Sequence, residues 1–238
     1  MFKLYQNEWF GITFKNYYKL KKKKIADDIF YKNFYQIFYK KYFNFKMLPK
    51  TFQYNKKIIY SQIKKIINKN KKNYYILSIG AGCGYIENFL SKKNNITVYE
   101  NHKENIRWLS ENKKIKIISG NFKNFTSKKL KNFDLVFASN IDYIFTDKQY
   151  INFINKLFDL NVKDFLLTDI ILHEQKTYHH LKLLIKIILR KIKLKNNEIF
   201  FGYLRTKNEH ISLIKKTKYK KIDYGILLNK RMWIRLKI

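Results

Sequence analysis

Three of the seven glycines in this 238-residue chain fall within five positions, Gly80-Ala81-Gly82-Cys83-Gly84. Glycine this scarce and this clustered marks a place where φ must be positive or where backbone must lie against a ligand. The run before it, Tyr74-Tyr75-Ile76-Leu77-Ser78-Ile79, is apolar, and Tyr85-Ile86-Glu87-Asn88-Phe89-Leu90 after it has helical character. A buried strand, a glycine turn and a helix start together aim backbone N–H groups and the positive end of a helix dipole at one point. That is a cradle of the nucleotide-binding type, and it commits the surrounding chain to strand–helix alternation.

The rhythm after residue 74 agrees. Strands are expected at Tyr75–Ile79, Thr97–Glu100, Lys116–Ser119, Asp134–Ala138 and Phe165–Thr168, and helices at Tyr85–Ser91, Lys103–Asn112 and Lys148–Leu160, with a shorter one near Ser127–Lys131. The end reads as a helix Asn208–Lys216 and two strands, Lys221–Leu227 and Met232–Leu236, around a turn at Asn229-Lys230. Alternation with short connections predicts an α/β fold with a doubly wound, mostly parallel sheet, here seven-stranded with a terminal antiparallel hairpin. Ligands of such sheets bind beyond the carboxyl ends of the strands. Residues 1 to about 72 show no strand alternation. Ala26–Lys46 repeats apolar residues at helical spacing (Phe30, Phe34, Ile37, Phe38, Tyr42), and Ile58, Ile59, Ile63, Ile66 and Ile67 mark a second amphipathic helix. The expected division is an aromatic-rich helical segment over 1–54 and an α/β domain over 55–238, with a helical insertion at about 173–200.

A formal charge of +34 invites a nucleic-acid or anionic-membrane reading. However, Lys outnumbers Arg 46 to 5, and Lys, Asn, Ile, Phe and Tyr are inflated together, as AT-rich codons favour. A dedicated phosphate reader is expected to use more Arg, whose planar fork matches phosphate oxygens. Much of the charge is therefore read as compositional. The single cysteine, Cys83, excludes an intramolecular disulfide framework and a cysteine-cluster metal site. Neither a signal peptide nor an apolar stretch of membrane-spanning length is visible, so the expected location is the cytoplasm. The basic amphipathic segment 175–195 would still suit peripheral contact with a membrane surface.

From about residue 55 to 238 the chain resembles the class I (Rossmann-like) S-adenosylmethionine-dependent methyltransferases. The family's first motif, an acid-ended strand followed by a G-x-G-x-G turn, is matched by Ile76-Leu77-Ser78-Ile79-Gly80-Ala81-Gly82-Cys83-Gly84. Ser78 stands where the family places its acid; a hydroxyl hydrogen-bonds but brings no charge. The resemblance implies that Gly80, Ala81, Gly82 and Gly84 lie against the cofactor's methionine portion. It also implies that Glu100, ending the second strand, accepts the two ribose hydroxyls, for which paired carboxylate oxygens are well matched. Asn121 and Phe122, after Ser119-Gly120, fall where the family contacts adenine, and an amide oxygen can accept from the adenine amino group. Ser139, at the exit of the fourth strand, would face the transferred methyl group.

The cofactor implied is S-adenosyl-L-methionine. An oxygen acceptor must also lose a proton, and candidates near the expected strand ends are His173, Asp142 and Glu174. Tyr143, Tyr178, Tyr203 and Arg205 are candidate liners of the acceptor pocket, beneath the N-terminal helices. No His/carboxylate spacing points to a metal. The preferred acceptor is a small molecule, such as a saccharide or surface-polymer precursor. An RNA acceptor and a catalytically silent binding protein on the same fold are the alternatives.

Overall fold

The computed structural model describes residues 1–14, 25–67, 73–121, 132–173 and 198–238. Strand β1 (Phe2–Gln6), a small hairpin of β2 (Glu8–Trp9) and β3 (Ile12–Thr13), and helices α1 (Asp28–Lys41) and α2 (Lys50–Ile66) precede the main sheet. Then come β4 (Tyr75–Ile79), α3 (Tyr85–Leu90), β5 (Asn95–Glu100), α4 (Lys103–Ser110), β6 (Ile115–Ser119), β7 (Leu135–Ser139), α5 (Asp147–Asp159) and β8 (Asp164–Ile170). Strand β9 (Ile199–Leu204), α6 (Lys207–Lys215), β10 (Lys221–Ile226) and β11 (Met232–Lys237) complete the order.

Seven strands form one sheet in the order β10-β11-β8-β7-β4-β5-β6. Strands β4 to β8 run parallel, and β11 pairs antiparallel with both β8 and β10. The chain enters at β4, winds outward through β5 and β6, then returns to the other side of β4 with β7. A crevice opens at such a reversal, at the carboxyl end of β4. Both faces of β4 are covered, so Ile76, Leu77, Ser78 and Ile79 are all buried, as a central parallel strand requires.

Local chemistry sets the helix starts. Asp27 caps α1 by accepting from the Phe30 N–H, and Pro49 stands immediately before α2. Reciprocal capping boxes, Thr146 with Gln149 and Thr206 with Glu209, open α5 and α6. One apolar core lies between the sheet, α5 and α6, with Tyr150, Ile154, Leu157 and Ile214 against Leu77, Val136 and Leu167. A second joins α2, α3 and α4 to the other sheet face through Ile59, Ile63, Ile86, Leu90 and Leu109. A third is aromatic and sits over the strand ends, where Phe14, Phe30, Phe34, Phe38 and Phe201 meet Cys83 and Tyr85 of the glycine turn.

The sheet's strands and helices lie within two residues of their expected bounds. The N-terminal third differs. It carries β1, β2 and β3 where no strand was expected, and β1 pairs antiparallel with β9, itself beginning at the end of the expected helical insertion. Strands β1 and β9 exist through each other, about 200 residues apart, and β2 and β3 are a two-residue-per-strand hairpin, too short for alternation to register. Helix α1 stops at Lys41, short of Lys46; Asn44 then accepts from the Lys46 and Met47 N–H groups to start a separate 3-10 turn, Phe45–Met47. The expected helix near Ser127–Lys131 and the basic segment 175–195 lie outside the described residues. Among the described residues no helix is long and apolar enough to cross a membrane.

Candidate active site

A cavity of about 830 Å³ occupies the crevice at the carboxyl ends of β4, β5, β7 and β8. Its floor is built by the glycine turn, Glu100, Asn121, Ser139, Asn140 and Asp169. Its roof comes from the N-terminal segment and β9, with Trp9, Tyr31, Tyr35, Phe52 and Phe201 facing in.

Each glycine of the turn has positive φ: 68° at Gly80, 58° at Gly82 and 66° at Gly84. Their roles differ. A side chain on Gly84 would begin 2.1 Å from Leu109 Cδ2, so this glycine lets α3 close against α4. At Gly82 the nearest atom to an added Cβ is the Tyr35 hydroxyl at 3.7 Å, so this position faces the cavity rather than the core. Glu100 holds the turn from below. Its Oε2 accepts from Gly82 N at 3.1 Å, and its Oε1 accepts from Asn101 N at 2.9 Å and His102 N at 3.0 Å. Three backbone donors thus fix a buried carboxylate at the cavity wall, the preorganisation that charge-assisted recognition of hydroxyls needs.

Behind the turn, Ser78 Oγ donates to Glu87 Oε1 at 2.5 Å, with both side chains buried. Across from them Lys56, on α2, donates to Ser139 Oγ and to Asp169 Oδ2, each at 2.9 Å. Lys56 therefore ties α2 to the ends of β7 and β8.

Of the residues singled out from sequence, Gly80, Ala81, Gly82, Glu100, Asn121, Ser139 and Tyr143 line the cavity together. Ser78 lies just behind the turn and Gly84 at its helical exit. Four others are not brought to the wall. His173 stacks on Phe2, ring centroids 3.6 Å apart, and its backbone N–H donates to the Arg205 carbonyl beyond the end of β8. Asp142 turns inward, with its Oδ2 3.7 Å from His210 Nε2. Arg205 is 0% exposed; its guanidinium donates to Asp147 Oδ1 and to the Asp142 and Phe145 carbonyls, so it anchors the loop after β7 rather than meeting an acceptor. Tyr203 packs against Phe200 on β9, away from the lining. Phe122, Tyr178 and Glu174 lie outside the described residues.

Sequence reading missed Lys56, Asp169, His102, Tyr31 and Tyr35, all of which line the cavity. Tyr31, Tyr35 and Tyr39 recur every fourth residue, and that stripe was legible as a helix face, though not as a roof. Asp169 carried a different signal, since it directly follows the expected strand Phe165–Thr168; in the structure it lies within β8, at positive φ (62°).

Three phenols and the thiol at the site are held in their protonated forms. Burial pushes Tyr31 and Tyr35 well above the ordinary tyrosine value, and raises Tyr143 to about 12 despite a hydrogen bond from Tyr31. Burial likewise pushes the Cys83 thiol up to about 12, which removes it as a nucleophile near neutral pH. Among the described residues no group of three His, Cys, Asp or Glu side chains could hold a metal ion.

No family model and no curated protein matches the sequence. Solved structures do match in fold. Magnesium protoporphyrin IX methyltransferase from Synechocystis, with bound SAH, superposes with a TM-score of 0.61 at 10% identity, covering 90% of this chain and 96% of that one. Human N-acetylserotonin methyltransferase in complex with SAM gives 0.55 at 13% identity, covering 77% of this chain and 51% of that one. PigF with SAH gives 0.55 at 11% identity, over 73% of this chain and 53% of that one. The chain thus matches about half the length of the last two. The chain has the fold of the class I S-adenosylmethionine-dependent methyltransferases.

Proposed function

We propose that this chain is an S-adenosylmethionine-dependent methyltransferase acting on a small-molecule acceptor. The observation that carries the reading is the convergence of the Gly80–Gly84 turn and the backbone-held Glu100 on one roofed cavity at the sheet's reversal. The residues fit the cofactor: Gly82 leaves open space beside the turn, Glu100 offers oriented carboxylate oxygens for the ribose, and Asn121 offers an amide for adenine. Bound there, the cofactor supplies an electrophilic methyl group on a sulfonium sulfur.

The chain's own contribution is alignment and exclusion of water. An in-line displacement gains much of its rate from holding the acceptor in line. The aromatic roof and the Lys56-bridged ends of β7 and β8 supply a wall suited to that. Where the acceptor atom is oxygen, Asp28, His102 and Asp169 stand at the cavity as candidates to take its proton, Glu100 being engaged with the turn. They replace His173 and Asp142 in this reading.

The acceptor is read from the roof. Trp9, Tyr31, Tyr35 and Phe201 offer faces for ring stacking, while Gln6 Oε1 and Asn140 Oδ1 are buried at the wall without partners. Ring faces with hydroxyl or N–H donors at the edge meet both demands, which suits a saccharide or another surface-polymer precursor. Residues 1–54 then act as the acceptor-covering segment of a methyltransferase domain spanning 55–238.

The test is calorimetric binding of S-adenosylmethionine and S-adenosylhomocysteine, followed by methyl transfer from labelled cofactor to a panel of hydroxylated small molecules. Micromolar binding with turnover on one acceptor class supports the reading. No binding to the folded chain sinks it, and binding without transfer to any acceptor favours a silent binding protein.

A further inference from the structure

The chain uses Lys 46 times and Arg five times, so an arginine at a cavity wall is not what composition supplies by default. Of the described arginines, Arg107 is exposed on α4, while Arg205 and Arg235 direct their guanidiniums to Asp147 and Asp164. Arg231 differs. It is half-buried and lines the large cavity, and among the described residues its guanidinium has no hydrogen-bond or ion-pair partner.

Its backbone is fixed on both sides. The Arg231 N–H donates to Asn229 Oδ1 at 3.3 Å, and its carbonyl accepts from Leu227 N at 2.7 Å. Asn229 Nδ2 in turn donates to Asn55 Oδ1 at 3.1 Å, which ties the β10–β11 turn to α2 beside the cavity. Met232 pairs with Ile170 at the carboxyl end of β8, so the residue before it stands at the rim of the crevice. The Arg231 charge also acts on Asp142, in the loop after β7, opposing the rise that burial imposes there. The side chain thus lies on the cavity side of the hairpin.

The charges around Arg231 leave it uncompensated. Lys56 is ion-paired with Asp169 at 2.9 Å, so those two cancel. Glu100 is held by three backbone donors at the end of β5. In the sheet order β11-β8-β7-β4-β5, β11 lies three strand spacings from β4, about 14 Å. In the methyltransferase reading the glycine turn, Glu100 and Asn121 take the cofactor at the ends of β4 to β6. Arg231 then belongs to the half of the cavity left for the acceptor. A half-buried cation without a partner favours an anion, and a planar guanidinium matches the paired oxygens of a carboxylate or phosphate.

We propose that the acceptor is an anionic small molecule and that Arg231 binds its carboxylate or phosphate group. The inference rests on the methyltransferase reading and narrows its acceptor class. The ring faces of the roof take the body of the molecule, and Arg231 takes its charged end.

The test is calorimetric titration of the S-adenosylhomocysteine-loaded protein at about 0.15 M ionic strength, where distant surface charge is screened. The probes are glucose, glucuronate and a glucose phosphate, with catechol and protocatechuate as a second, planar set. In at least one set an anionic member must bind about tenfold or more tighter than its neutral counterpart. Glucuronate against the glucose phosphate tells which anion the site prefers. Arg231→Gln must abolish the preference and leave S-adenosylhomocysteine within about twofold of the parent. Arg107→Gln removes the same charge from the exposed face of α4 and must leave the preference intact. That control separates a local site from the general attraction of a chain with charge +34.

No preference for an anion in either set overturns the proposal, as does a preference that survives Arg231→Gln or is lost equally in Arg107→Gln. Should Arg231→Gln fail to fold in a thermal melt, Arg231→Lys decides. It keeps the charge but not the fork, and must weaken the anionic probe alone; unchanged affinity overturns the proposal. A parent that binds S-adenosylhomocysteine but gives one of these results loses only the anionic acceptor. A parent that does not bind S-adenosylhomocysteine removes the methyltransferase reading, and the acceptor site with it.

Discussion

Tyr39 reaches from α1 to α4 and donates its hydroxyl hydrogen to Asn105 Oδ1 at 2.6 Å, with both side chains buried. The same ring stacks on Trp108, centroids 4.7 Å apart. One side chain thus fastens the roof to the sheet domain by a polar and an aromatic contact. Tyr39→Phe keeps the stack and removes the donor, leaving a buried amide oxygen without its partner. The expected loss is about 1–3 kcal/mol of unfolding free energy, read from urea denaturation with the m-value unchanged.

The contact between Gly84 and Leu109 makes a second, structural prediction. An added methyl at Gly84 meets Leu109 Cδ2 at 2.1 Å and must also adopt φ +66°. Gly84→Ala is expected to cost about 2–4 kcal/mol, strain and overpacking combined. Leu109→Ala opens the same space, so the double variant should be more stable than the sum of the singles by about 1 kcal/mol or more. Additive losses in the denaturation cycle would place the strain in the backbone alone.

Glu100 acts on two levels that binding and stability measurements separate. It accepts from three backbone N–H groups and faces the cavity. Glu100→Gln keeps the shape but removes the charge and one acceptor oxygen. S-adenosylhomocysteine affinity should fall by about tenfold to a hundredfold, as for hydrogen bonds to charged groups. Methylthioadenosine, which retains the ribose but lacks the amino-acid end, should lose as much.

Asp142 and His210 give a pH signature. Burial raises Asp142 from 3.8 to about 7, with the Arg205 guanidinium and Arg231 opposing the rise and Asp169 adding to it. Burial lowers His210 from 6.5 to about 3, Arg205 helping, while Glu209 and Asp147 oppose. Between pH 3.8 and about 7 the folded chain holds a proton on Asp142 that the unfolded chain has released. That group therefore makes stability fall as pH rises. Between pH 3 and 6.5 the unfolded chain holds a proton on His210 that the folded chain lacks, so this group makes stability rise with pH. In the parent the two slopes oppose over their shared range. Relative to the parent, His210→Gln should leave the falling slope exposed and Asp142→Asn the rising one. Urea unfolding at a series of pH values checks the pair, and slopes of the same sign would refute it.

The fold was legible where pattern is local. Apolar runs bounded by turns located β4 to β8, the hairpin and their helices, because a buried parallel strand needs an unbroken apolar stretch and a glycine turn has few other uses. The site was half legible. The glycine turn and Glu100 sit on strand ends, whose position the strands themselves dictate. Lys56 was hidden among 46 lysines, on a helix whose polar face looks solvated from sequence. Glu87 reads locally as an ordinary acid in a helix's first turn, which the dipole alone would justify; its bond to Ser78 exists only in three dimensions. His173 was expected over the cleft because it follows a strand, and Arg205 as a polar liner of the acceptor pocket. The structure buries Arg205 in the interior and stacks His173 onto Phe2.

The pairing of β1 with β9 sets a timetable for synthesis. Leu4 finds its partner at Gly202, so the strand emerges from the ribosome early and waits for nearly the rest of the chain. The sheet from β4 to β8 relies on nearer contacts and can assemble meanwhile. Through that interval Trp9, Phe10 and Phe14 have no finished core to enter, and exposed aromatic surface of this kind invites self-association or chaperone capture. The cover of the cavity is thus made before the sheet it covers and fitted only after β9 has been synthesised, which makes elongation from β3 to β9 the period of greatest risk to the nascent protein.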